Sequence, residues 1–196
     1  MAVIKTGLAT LGSQAQPIGT WSVTAKHDLG TILHQPADSV GGGPKTFMYV
    51  QYATGSGAAA YQGSPVAWDK STITDAVANR VVGVDVSQAP STTPCGFIWN
   101  TSTTAVTTAY YGWIQLAVPN EVMKSVICST GASATNLVVW EVDTNLDVAT
   151  AYTSIVEVID TPFGMLCTGT VATPSESAIS NMQRWDVLVL LNPYVT

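Results

Sequence analysis

Hydrophobic and polar positions along this chain alternate with the two-residue period of a β-strand far more often than with the 3.6-residue period of a helix. In Lys45-Thr46-Phe47-Met48-Tyr49-Val50-Gln51-Tyr52, Phe47, Tyr49 and Gln51 fall on one face and Met48, Val50 and Tyr52 on the other. That pattern predicts a strand buried on one face and partly covered on the second. Further strands are expected over residues 79–86, 95–100, 110–118, 136–142, 152–160 and 185–191. Gly83, inside the first of these, predicts a bulge or a close backbone approach. In the 110–118 run Tyr111, Trp113 and Gln115 share a face opposite Tyr110, Gly112 and Ile114, which predicts a strand buried in a core or between subunits.

Turn chemistry separates these runs. Gly41-Gly42-Gly43-Pro44, Gly55-Ser56-Gly57, Gln62-Gly63-Ser64-Pro65 and Pro90-Ser91-Thr92-Thr93-Pro94 read as loops. One short C-terminal helix is expected over residues 174–183: Thr173 caps it, Pro174 opens it and Glu176 completes a capping box, with Ala178, Ile179 and Met182 at helical spacing. A helical turn near residues 74–78 is a lesser expectation. Residues 1–43 show little sustained alternation and end in the glycine run, so they read as an N-terminal arm ahead of a β domain spanning 44–196. An ordinary first strand pair is the competing reading of the same segment. The fold class expected is mainly β, an antiparallel barrel or sandwich with an N-terminal arm and one short C-terminal helix.

Composition changes the picture in one respect. Charged residues are 10% of the 196 and hydrophobic residues 46%, where a typical globular chain is about 25% charged. Serine and threonine, about a fifth of the chain, supply the polar balance. Enough aliphatic and aromatic residues are present to fold, so disorder is not the reason. Charge is depleted in the cores of protein interfaces, which predicts that neighbouring protein covers much of this surface. With only 7 basic residues and a net charge of −6, phosphate-backbone binding is not expected. No run approaches the roughly 18 apolar residues of a membrane span, and Met1-Ala2-Val3-Ile4-Lys5-Thr6-Gly7 lacks the layout of a secretory signal.

Candidate chemistry is sparse. Cys95, Cys128 and Cys167 are odd in number and far apart, which argues against a disulfide framework and for burial as small hydrophobes. His27 and His34 have no cysteine at zinc-ligand spacing. Asp143-Thr144-Asn145-Leu146-Asp147 opens like a calcium loop, but Val148 replaces the turn glycine and Ser154 the bidentate glutamate. Neither a nucleophile elbow nor a phosphate-binding glycine loop is present, and His27-Asp28, as neighbours, point to opposite faces of a strand. No catalytic, cofactor-binding or metal residue is therefore nominated, and none is expected. Six Trp and seven Tyr keep a carbohydrate- or receptor-binding module in competition, since exposed rings stack on sugars.

Five segments, in this order, carry a resemblance. They are Phe47-Met48-Tyr49-Val50-Gln51-Tyr52 with its glycine-rich turn, Gln62-Gly63-Ser64-Pro65-Val66, Arg80-Val81-Val82-Gly83-Val84, Tyr110-Tyr111-Gly112-Trp113-Ile114-Gln115-Leu116, and Val187-Leu188-Val189-Leu190-Leu191-Asn192-Pro193. Together the layout from Lys45 onwards resembles the head-decoration, or capsid cement, proteins of tailed bacteriophages. It departs from that family at Ala117-Val118, where a glycine is usual, and in a longer stretch from Ser87 to Ala109. The resemblance implies a non-enzymatic virion protein, assembled in the host bacterial cytoplasm. It would bind the outer surface of the major capsid protein lattice, commonly as a homotrimer, with no cofactor. On that reading Ile4, Leu8, Leu11 and Ile18 of the arm are the expected capsid contacts, and Tyr111, Trp113 and Gln115 the core or trimer contacts. A tail-tube-type structural protein is the other virion alternative.

Overall fold

The computed structural model describes residues 16–37, 43–52, 59–68, 80–83, 94–107, 109–128, 137–139, 150–152, 163–167 and 183–191. These residues form eleven strands in two sheets, mainly antiparallel, with no helix among them. The first sheet holds β1 (Ile32–Gln35), β2 (Lys45–Tyr52), β3 (Pro65–Trp68), β4 (Val81–Gly83), β5 (Pro94–Ile98) and β6 (Tyr111–Leu116). The second holds β7 (Val122–Cys128), β8 (Leu137–Val139), β9 (Thr150–Tyr152), β10 (Phe163–Cys167) and β11 (Gln183–Leu191), in the order β7-β11-β10-β8-β9. Residues 174–182 of the expected helix, the turn at 74–78, the calcium-like run 143–147 and residues 153–160 of the expected 152–160 strand lie outside the described residues; Gln183 opens β11 and Tyr152 closes β9.

β2 is the hub of the first sheet. One edge pairs with β1 and then, in parallel, with β4; the other pairs with β6, Tyr49 opposite Trp113. From β4 the pairings run to β3, β5 and β6, and so return to β2. Side chains from each strand of this circuit meet in one cluster that includes Val50, Tyr52, Val66, Val82, Phe97 and Ile114, joined by Met123, Val126 and Val189 of the second sheet. The alternation in β2 explains its central place. Val50 and Tyr52 enter this cluster, while Phe47 and Tyr49, on the opposite face, enter a second one with Trp113. Both faces are therefore buried, where the sequence pattern predicts one fully and one partly covered.

Two ladders carry an extra residue. Between β3 and β5 the register shifts at Val66/Ala67, which leaves Cys95 as the additional residue and its thiol donating to the Val66 carbonyl at 3.2 Å. Between β7 and β11, Trp185 opposes Val126 while Val187 opposes Met123. The surplus falls near Ser125, which sits at φ 56°, a left-handed conformation that bulges favour. Its N–H donates to the Asp186 carboxylate at 3.1 Å.

The sheets are joined through the turn that the sequence marks at Gln62-Gly63-Ser64-Pro65. Gly63 N–H donates to the Ile98 carbonyl at 2.9 Å, and the Gly63 carbonyl accepts from Ile127 N–H at 3.1 Å. One residue thus bonds to a strand of each sheet. It has φ 80°, and a Cβ there would stand 1.8 Å from the Ser125 carbonyl oxygen, so glycine is required by both conformation and space. A second tie runs from the β6–β7 turn: the Glu121 carboxylate accepts from Thr46 N–H at 2.9 Å and from the Thr46 hydroxyl at 2.8 Å. The Gln115 side-chain amide donates to the Val122 carbonyl at 3.1 Å.

Replacing Gly63 with alanine should lower stability by about 3 kcal/mol, since a strained φ and a steric clash act together. Urea unfolding followed by tryptophan fluorescence measures this, and an unchanged midpoint would contradict the sheet junction described.

Candidate functional site

The segment from Gln16 to Thr31 covers the face of β2 and β6 that the second sheet does not reach. Its anchor is Gln16, whose hydrogen-bonding groups are all engaged. Its N–H donates to His27 Nε2 at 3.2 Å, and its carbonyl accepts from Trp113 Nε1 at 3.1 Å. Its Oε1 accepts from the Tyr49 hydroxyl at 2.6 Å, and its Nε2 donates to the carbonyls of Thr20 and Tyr111 at 2.6 and 2.9 Å. The His27 ring lies 5.0 Å from that of Tyr49 and 5.2 Å from that of Trp113, and the two larger rings meet edge-on at 5.2 Å. A buried polar network in which every member is satisfied fixes one geometry, because losing any member strands the others without water.

Trp21 is the second fastener. Its indole N–H donates to the Trp99 carbonyl at 3.0 Å. Its ring lies so close to β6 that a Cβ on Gly112 would stand 2.3 Å from it. Gly112 is therefore glycine because an indole occupies its side-chain space. A glycine inside a strand is the signal of such an approach, and here it was visible within Tyr110-Tyr111-Gly112-Trp113. Gln16 and His27 carried no comparable signal, since their partners lie up to 97 residues away.

The structure places the expected contact residues as follows. Trp113 and Gln115 are buried within this chain and Tyr111 is half-buried, all on β6. Ile18 packs against the Phe47–Tyr49–Trp113 cluster. Ile4, Leu8 and Leu11 lie outside the described residues. Within the segment read as an arm, residues 16–35 are part of the first sheet's packing, through the Gln16 network and the pairing of β1 with β2.

No set of His, Cys, Asp and Glu that could hold a metal ion occurs among the described residues. Burial pushes the Cys95 thiol well above its usual range, as suits an inert core group rather than a nucleophile. The exposed described residues are instead notable for what they lack. Charge is carried there by Lys26, Asp28 and Arg80 alone. The others include Thr20, Val23, Thr24, Ala25, Ile32, Pro36, Ala37 and the run Thr101-Ser102-Thr103-Thr104. Three further charges, Lys45, Glu121 and Arg184, are buried. No family model, curated protein or solved structure matches the chain.

Two measurements check this anchor. Gln16→Ala should cost about 1–3 kcal/mol, because it takes away the acceptor of the buried Tyr49 O–H and the side-chain donor to the Thr20 and Tyr111 carbonyls; thermal unfolding reads it. Burial raises the Tyr49 phenol above its ordinary range, the Lys26 N–H opposes the shift and Tyr111 adds to it. Its contribution to stability is then fully present below pH about 10 and is lost as pH rises through the higher folded value. An absorbance titration should show phenol absorbance that develops above the ordinary tyrosine range, and Tyr49→Phe should lower that late amplitude.

Proposed function

We propose that the chain is a non-enzymatic decoration protein of a tailed-phage head, binding the outer surface of the major capsid protein lattice as a homotrimer and stabilising the shell. The observation that carries this reading is the scarcity of charge among the exposed described residues, in a chain that is 10% charged overall. A surface of threonine, serine, alanine, proline and isolated aliphatic side chains suits contact with other protein, where ionised groups would have to be desolvated. Lys45, Glu121 and Arg184 are buried, so they add no charge to the exposed described residues. The strand circuit that returns to β2 supports reading the first sheet as a small barrel, a rigid body suited to capping a lattice. The rooting of the chain at Gln16 supports an arm made of residues 1–15, carrying Ile4, Leu8 and Leu11, with Ile18 serving the fold.

The mechanism is linkage. A protein that binds only the assembled lattice lowers the free energy of that state by an amount set by its concentration and affinity. Three-fold symmetry multiplies modest contacts into tight attachment, since the second and third arms bind at high effective concentration. No chemistry is required of any side chain, and no cofactor, nucleic acid or membrane enters.

The test is co-sedimentation of the purified chain with undecorated phage heads, alongside a variant lacking residues 1–15. The full chain should pellet with heads and raise the temperature at which they rupture. The truncated variant should keep its tryptophan fluorescence and lose binding, because the truncation stops short of the Gln16 anchor. Absence of the full chain from heads would sink the proposal, and equal binding of the two forms would remove the arm from it.

A further inference from the structure

One strand edge of the first sheet pairs with no other described strand: the outer edge of β1. The direction of its backbone groups follows from β2. Tyr49 N–H donates to the Thr31 carbonyl, the Tyr49 carbonyl accepts from Gly30 N–H, and Gln51 N–H donates to the Arg80 carbonyl on that same side. Tyr52 N–H donates to Tyr110 and Thr46 N–H to Glu121 on the opposite side. Odd-numbered residues of β2 therefore face β1. With Leu33 opposite Phe47 and Gln35 opposite Lys45, those two positions are the hydrogen-bonded pairs of the β1–β2 ladder. The N–H and C=O groups of Ile32 and His34 consequently point outward.

Both residues are exposed, Ile32 by 38%. Free edges are ordinarily guarded by lysine, by an internal proline or by a bulge. β1 reads Ile-Leu-His-Gln and has no such guard. The ladder it offers is two outward residues long, bounded by the turn at Asp28–Thr31, where Thr31 N–H donates to the Asp28 carbonyl, and by Pro36, which has no N–H to give.

We propose that this edge is an interaction surface for a second copy of the same chain, β1 pairing antiparallel with β1 about a two-fold axis at Leu33. In that register Ile32 of each copy opposes His34 of the other, and each such pair exchanges two hydrogen bonds. The four outward groups of each copy are then satisfied and none is left over. The match in length favours this occupant: a longer strand from another protein would overhang a two-residue ladder. Charge does not oppose it, because Lys26 and Asp28, the charged residues on the exposed segment leading into β1, have opposite signs. The contact is isologous and closes on itself. It rests on the β1 geometry and is independent of the decoration reading.

Cysteine cross-linking of the full chain tests both the pairing and its register. Across the axis, the two Leu33 positions would be a non-hydrogen-bonded pair about 4.5 Å apart between Cα atoms, within disulfide reach. The two Ile32 positions would lie beyond about 7 Å, outside it. Under mild oxidation Leu33→Cys should run as a covalent dimer on a non-reducing gel, while Ile32→Cys and the unsubstituted chain should not. Adding His34→Pro to Leu33→Cys should abolish the dimer, since it removes an outward N–H and leaves the inward bonds of Leu33 and Gln35 in place. A Leu33→Cys protein with unchanged circular dichroism that forms no covalent dimer, or an Ile32→Cys protein that cross-links as fast, would overturn the proposal. Should Leu33→Cys fail to fold, light scattering on His34→Pro alone decides: a lower mass than the unsubstituted chain is expected, and an equal mass refutes the pairing.

Discussion

Exclusion of water from both faces of the β2–β6 pair is the constraint on which the rest of this molecule depends. Phe47, Tyr49 and Trp113 on one face, and Val50, Tyr52 and Ile114 on the other, are all buried. A sheet that hides both faces needs a cover on each side. The remainder of the circuit and the second sheet supply one cover, through Val66, Val82, Met123, Val126 and Val189. Residues 16–31 supply the other, and they are irregular chain rather than a strand or helix. Irregular backbone over a core must find partners for its polar groups, which is what the Gln16 network and the Trp21–Trp99 bond provide.

Two buried charges, Glu121 and Arg184, follow from the same geometry. Glu121 lies at the turn between β6 and β7, where its carboxylate takes both donors of Thr46 and ties that turn to β2. The Arg184 guanidinium donates to the Gln62 carbonyl in the turn that carries Gly63. Both ionised groups thus serve the junction between the sheets, where a charge-assisted hydrogen bond is stronger than a neutral one. With these charges buried, the exposed described residues are mostly hydroxyl-bearing and small apolar ones. Such a surface loses little on meeting another protein, because few ions have to be stripped of water. The proposed assembly role and the proposed β1 pairing both draw on that property.

The strands with strong alternation could be read from sequence with good accuracy. β2 matches residue for residue, and β5, β6 and β11 match to within a few positions, because a central strand carries a long run of side chains that must point alternately to two interiors. The expected 79–86 strand is described only as Val81–Gly83 and the 136–142 strand as Leu137–Val139. β3, β7 and β10 were not anticipated, and β1 only through the competing reading of residues 1–43 as a first strand pair. β1 is four residues long with one apolar and one polar residue on each face, Ile32 with His34 and Leu33 with Gln35, and β3 is four residues opening on a proline that reads as a turn. β7 holds Lys124 and Ser125 where a bulge breaks the period. The Tyr111, Trp113 and Gln115 face was legible as core or contact, whereas Gln16, His27 and Glu121 were not, since an isolated polar residue has no periodicity to announce its burial.

By itself, then, the sequence determined the β class, the central strands and the poverty of charge, because each is a property of local order or of composition. Which residues close the molecule was decided only in three dimensions. Trp113 meets Gln16, and Thr46 meets Glu121, across 97 and 75 residues of chain, and no local pattern encodes a partner at that distance. The same holds for the missing Cβ of Gly63 and Gly112: glycine is a turn former or a strand breaker until the fold shows whose carbonyl or indole stands in the space it leaves.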